Sequence, residues 1–276
     1  MNRRHFILCG TALALGCARA APAAPDFAPT RFSVEIRGSG PDVILIPGLA
    51  SGRGIWAETV RAIPGFRYHL IHVHGFAGAP AAANRRGAIV SPIADELARY
   101  IQERRLRRPA LIGHSMGGTV AMMIGARYPT LAGRIMVVDM LPEPAGMVGG
   151  SASGYGALAN SLLGSDSGRR LVGSLMSNFS PPDSSLRTSD ADVVARTMNE
   201  LAAIDLTPSL PRIRAPMTIA YASWDRRAAP ALDRTFARAY AGARGARFVR
   251  IDGSGHMVML DQPTRFAAAV RVFLTR

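Results

Sequence analysis

Ala110-Leu111-Ile112-Gly113-His114-Ser115-Met116-Gly117-Gly118 is the stretch that decides the fold of this 276-residue chain. Its three leading apolar residues read as a buried strand, and residues 119–128 read as a helix stopped by Pro129. Between them a serine stands two residues from a glycine on either side, a pattern suited to a very sharp strand-to-helix turn. A Cβ at either glycine would collide with a neighbouring strand or helix. Such a turn lifts the hydroxyl clear of the sheet and sets the next backbone N–H beside it. A nucleophile with an adjacent oxyanion donor is what attack on a carbonyl needs. Ser115 is the candidate nucleophile, and the Met116 amide a candidate oxyanion donor.

On both sides of this turn, aliphatic runs alternate with amphipathic ones. Strands are expected at 32–36, 43–46, 68–73, 110–112, 135–138, 217–222 and 248–251. Helices are expected at 54–62, 93–105, 116–128, 231–240 and 264–274, the second opened by Ser91-Pro92 and the last by Asp261 before Pro263. Unbroken aliphatic strands between helices indicate an α/β doubly wound, mostly parallel sheet covered on both faces. One stretch breaks the rhythm. Residues 142–208 hold no convincing strand but show weak helical segments at 155–163, 169–178 and 190–204, the last with a capping start at Ser189 and Asp192. This predicts a small helical cap inserted into a core made of 27–141 and 209–276.

A serine hydroxyl is a poor nucleophile near neutral pH unless an imidazole accepts its proton. His256 lies in the glycine-rich loop Gly253-Ser254-Gly255-His256, just after a strand and so at the carboxyl edge of the sheet, where reactive groups converge. The acid that orients it has two candidates. Asp225 follows the strand at 217–222, and Asp139 ends the strand at 135–138. The expected order Ser, Asp, His along the chain favours Asp225, as does its place at the carboxyl edge before the helix near Pro230. Asp252 is too close to His256 in sequence, and Asp261 reads as a helix cap. The turn Pro47-Gly48-Leu49 after the strand at 43–46 offers the Leu49 amide as second oxyanion donor. His72 and His74 stand two apart at a strand end with no cluster of acidic residues nearby in sequence, which argues against a metal site. No cofactor motif is present.

Together these residues resemble the α/β-hydrolase family over nearly the whole chain. Gly113 to Gly118 is similar to its nucleophile elbow, Pro47-Gly48-Leu49 to its oxyanion loop and Trp224-Asp225 to its acid turn. Gly255-His256 with Asp261-Gln262-Pro263 is similar to its histidine loop and last helix. The insertion at 142–208 stands where the family carries a cap. Two segments depart from the family pattern. His72 to Gly78 replaces a common Asp-x-x-Gly-x-Gly-x-Ser segment, and the acid turn has Ser223-Trp224 in place of its usual glycine two residues before the aspartate. The resemblance implies hydrolysis of a carboxylic ester of a small apolar substrate through an acyl-enzyme. Met147, Tyr155, Leu158, Leu162 and Met176 are available to line the pocket. The same triad in this family also serves amide, lactone and carbon–carbon hydrolysis, and cofactor-free perhydrolase or haloperoxidase chemistry.

Composition narrows the partners. The formal charge is +14, and every basic side chain is arginine, scattered in short pairs with no basic helix or interleaved aromatics. Nucleic-acid binding is therefore not expected. At the N-terminus, Arg3-Arg4 precede an apolar stretch at 6–15 and a small-x-small site at Ala18-Arg19-Ala20. Residues 1–20 read as an export signal, resembling the twin-arginine type, with a periplasmic or secreted destination. The apolar run is too short for a stable membrane span. Both cysteines, Cys9 and Cys17, fall inside this segment, so the processed chain would lack thiol and disulfide chemistry. Nothing in the sequence sets an oligomeric state.

Overall fold

The computed structural model describes residues 27–148, 187–225, 227 and 229–276. The expected export signal, the segments at 155–163 and 169–178, and the pocket candidates Tyr155, Leu158, Leu162 and Met176 lie outside the described residues.

One sheet of seven strands runs through the described residues: β1 (Phe32–Arg37), β2 (Asp42–Ile46), β3 (Arg67–Val73), β4 (Ala110–His114), β5 (Arg134–Val138), β6 (Met217–Ser223) and β7 (Arg247–Asp252). Their order is β1-β3-β2-β4-β5-β6-β7, with β1 antiparallel to β3 and every other pairing parallel. Each expected strand is present, within two residues of its expected ends. Strand period sorts the apolar side chains onto two faces. Ile44, Ile46, Leu111, Ile135, Val137, Met217 and Ile219 enter one buried cluster. Val43, Leu45, Ile112, Met136, Val138 and Ala220 enter the other. Burial on both faces explains why these strands are aliphatic throughout rather than alternating.

The first face is covered by α2 (Val90–Glu103), α3 (Met116–Arg127) and α4 (Ala191–Ala203), whose Ile93, Leu97, Val120, Ile124, Val193 and Met198 join that cluster. Phe236 of α5 (Ala229–Ala239) joins them. The second face is covered by the short α6 (Val258–Asp261) and by α7 (Pro263–Thr275), through Val258, Phe266, Val270 and Phe273, with Ile63 at the end of α1 (Ala57–Ala62). Among the described residues no helix is long and apolar enough to cross a membrane.

Three helix starts differ from the sequence expectation, and in one of them a distant carboxylate takes the place of the local cap. Helix α2 begins at Val90 rather than near Ser91-Pro92, and Glu200 of α4 accepts the Ile89 and Val90 amides at 2.5 and 2.8 Å. Helix α4 is capped by Asp190, whose Oδ1 accepts from Asp192 and Val193 at 3.0 Å. Ser189 instead receives the Ala77 amide at 2.9 Å. Asp261 does not cap α7; its carboxylate turns back to the loop that carries His256.

Candidate active site

Strand β4 ends at His114, and Ser115 adopts φ 52°, ψ −122° before α3 begins at Met116. That backbone region is costly for a residue with a Cβ and persists only where the surroundings enforce it. The enforcement is visible. The Ser115 amide donates to Val138 at 2.9 Å, and its carbonyl accepts from Gly118 and Thr119 at 2.7 and 3.2 Å. A Cβ on Gly113 would lie 2.1 Å from the Gly117 carbonyl oxygen, and one on Gly117 would lie 2.2 Å from that of Ile46. Only hydrogen at both positions lets strand and helix pass this closely.

The expected oxyanion loop lies alongside. A Cβ on Gly48 would come within 3.1 Å of the Ser115 Cβ, so the Pro47-Gly48-Leu49 turn passes close by Ser115. Ala50 closes that turn at φ 55°. Because α3 starts at Met116, the Met116 amide has no carbonyl one turn back within the helix. The turn that holds Leu49 thus lies beside Ser115, and Met116 follows it directly in the chain.

The aspartate against His256 is Asp139, not Asp225. Asp139 leaves the end of β5, the strand next to the one that carries Ser115, at φ 50°. Its Oδ2 meets His256 Nδ1 at 2.7 Å, and its Oδ1 accepts the Ala222 amide at 2.9 Å. The carboxylate is buried, at 5% exposure. Asp225 is exposed, and its Oδ1 takes the amide of Arg227 two residues on, the ordinary use of an aspartate in a turn. Chain order could not separate two aspartates that both follow strands at the same sheet edge. The available signal was the departure at Ser223-Trp224, where the family's usual acid turn is missing its glycine.

The His256 loop is braced from several sides. Gly253 takes φ 74° and donates to Ser223 at 2.7 Å. Asp261 Oδ2 accepts the Gly255 amide at 2.8 Å, and Gln262 Nε2 donates to the Gly253 carbonyl at 2.8 Å. His114 Nε2 donates to the His256 carbonyl oxygen at 2.9 Å, and the two imidazole rings lie 4.6 Å apart between centroids. Burial holds the His114 imidazole well below the usual histidine range, and His256 beside it acts in the same direction. Behind Asp139, the Tyr240 hydroxyl donates to the Met140 carbonyl at 2.6 Å. Burial first, then the Asp139 charge, push that hydroxyl well above its ordinary value, so it stays a donor.

His72 and His74 are used separately. His72 Nε2 bonds the Phe76 carbonyl at 2.9 Å and His74 Nδ1 the Thr30 carbonyl at 2.8 Å. Among the described residues no group of three or more His, Cys, Asp or Glu side chains is placed to hold a metal ion.

Residues 43–269 match the model of the alpha/beta hydrolase family. Pimeloyl-(acyl-carrier protein) methyl ester esterases from Nitrosospira multiformis and Aeromonas hydrophila are 26% and 30% identical to this chain over 111 residues. That stretch is 40% of this chain and 42% of each esterase, so the match spans about two fifths of these relatives. A hydrolase from Pseudomonas aeruginosa superposes with a TM-score of 0.73 at 17% identity, covering 89% of this chain and 94% of its own. A thermophilic esterase from Thermogutta terrifontis superposes at 0.69 and 21% identity, covering 88% and 92%. The likeness to these structures is one of fold: a mostly parallel sheet with helices on both faces.

Proposed function

We propose that this chain, which belongs to the alpha/beta hydrolase family, is a serine esterase that cleaves carboxylic esters of small apolar substrates through an acyl-enzyme. The observation that carries the reading is the 2.7 Å contact between His256 and the buried Asp139, at the strand edge where Ser115 occupies a strained elbow. Partial sequence likeness to methyl ester esterases supports the ester as substrate class.

In this mechanism Asp139 holds the Nδ1–H of His256, which directs Nε2 to the serine proton. Ser115 Oγ forms a bond to the acyl carbon as its proton passes to Nε2. The carbonyl electron pair moves onto oxygen, where the Leu49 and Met116 amides receive the charge. Collapse restores the carbonyl and breaks the bond to the alcohol, which leaves with the proton from His256. Water then repeats the sequence, its proton going to His256 and on to Ser115 Oγ as the acid departs. The Arg3-Arg4 segment supports export, so the ester is met outside the cytoplasm.

A panel of p-nitrophenyl esters from acetate to palmitate tests this on wild type and Ser115→Ala. The expected result is turnover that favours one range of acyl length and falls by about a thousandfold or more in the variant. Undiminished turnover in Ser115→Ala overturns the nucleophile. Peroxide-dependent halogenation faster than ester cleavage overturns the esterase reading in favour of perhydrolase chemistry.

A further inference from the structure

His114 is the residue between the elbow glycine and the serine, and the esterase mechanism above makes no use of it. Its side chain is 1% exposed, in a place where a buried imidazole must be justified by its contacts. One nitrogen has such a contact. The partner of Nε2 is a carbonyl oxygen, so Nε2 carries the hydrogen and the ring is the Nε2–H tautomer. Nδ1 is then a bare acceptor, and it has no hydrogen-bond partner. It faces Gly48, where a Cβ would come within 2.8 Å of it. One ring thus fills the space between the oxyanion loop and the loop that carries His256, and touches both.

We propose that His114 is a positioning residue: its Nε2–H fixes the His256 main chain, and its ring sets the imidazole plane of His256 relative to Ser115. This rests on the serine-esterase reading. Its logic is geometric. The bonds with Ser223, Asp261 and Gln262 hold Gly253 and Gly255, whereas the bond from His114 reaches the carbonyl of His256 itself, where displacement matters most. An error of about 1 Å in a catalytic group can cost up to about a hundredfold in rate. Because burial keeps His114 neutral, it performs this task without placing a second charge beside the imidazolium that forms on His256 during turnover.

Three substitutions separate positioning from packing. His114→Phe keeps a ring and loses the donor. His114→Gln places an amide N–H near the Nε2 position, and His114→Asn places it near Nδ1. Active sites are counted with a fluorophosphonate, and kcat and KM are then measured with the best p-nitrophenyl ester. His114→Phe is expected to lower kcat per labelled site by about 10- to 100-fold with KM changed less than about threefold. His114→Gln is expected to recover most of that loss and His114→Asn little of it. Wild-type kcat per site in all three, or equal losses in Gln and Asn, overturns the proposal. If the Phe variant does not fold, the Gln and Asn pair decides alone. Failure of the fluorophosphonate to label wild-type Ser115 instead overturns the serine-hydrolase reading beneath it.

Discussion

Ser115 and Asp139 share an uncommon feature: both are non-glycine residues at positive φ, one residue past the ends of adjacent parallel strands. Each uses the abrupt change of direction to present a short side chain at the rim of the sheet. The Ala222 amide satisfies one Asp139 oxygen, which leaves the other aimed at His256. Removing the charge while keeping the shape should disturb the imidazole tautomer rather than the fold. Asp139→Asn is expected to lose about a thousandfold or more in kcat/KM for the preferred ester. Asp225→Asn, at an exposed turn, is expected to stay within about twofold. Steady-state kinetics on the two variants checks this, and the reverse order would return the acid role to Asp225.

At the scale of elements, α4 is bound to the body of the protein by main-chain capping as well as by apolar packing. Glu200 supplies the acceptors that the N-terminus of α2 lacks, and Arg196 donates to the carbonyls of Asn84, Arg85 and Gly87 at 2.7–2.9 Å. The first amides of a helix need such partners, and a carboxylate there also meets the positive end of the helix dipole. Glu200→Ala is expected to cost about 1–2 kcal/mol, read from urea unfolding, with Glu200→Gln recovering part of it. The helical periodicity of residues 190–204 was legible because Val193, Met198 and Leu201 recur on one face. The identity of the caps was not. Ser91, Ser189 and Asp261 all have the local pattern of a cap, but α2 took the distant Glu200, α4 took the neighbouring Asp190, and α7 has no side-chain cap because Asp261 turns to the His256 loop.

For the whole molecule, burial of neutral imidazoles couples stability to pH. Burial holds His114, His69 and His72 below the ordinary histidine value. The folded chain therefore binds fewer protons than the unfolded chain once pH falls below about 6.5, so unfolding takes up protons and stability drops with pH. Asp42, held below its ordinary value by Arg67 and His69 against its own desolvation, adds to the loss at still lower pH. The melting temperature is expected to fall between about pH 7.5 and about pH 5, and to fall less steeply in His114→Gln. Thermal unfolding across that range, on both proteins, is the measurement. An equal slope in the two would remove His114 from this account.

Some features of this protein follow from local sequence alone. Aliphatic runs at strand length, separated by amphipathic segments, sufficed for a doubly wound sheet. Two glycines around Ser115 sufficed for the elbow, because both signals depend on neighbours a few residues away. A glycine-rich loop after the last strand was likewise enough to single out His256. Which aspartate meets that histidine was decided only in three dimensions. Asp139 and Asp225 follow neighbouring parallel strands and look alike in sequence. A hydrogen bond of 2.7 Å forms only where strand register, a positive φ and the path of the His256 loop coincide, and these are properties of the packed sheet rather than of any segment of it.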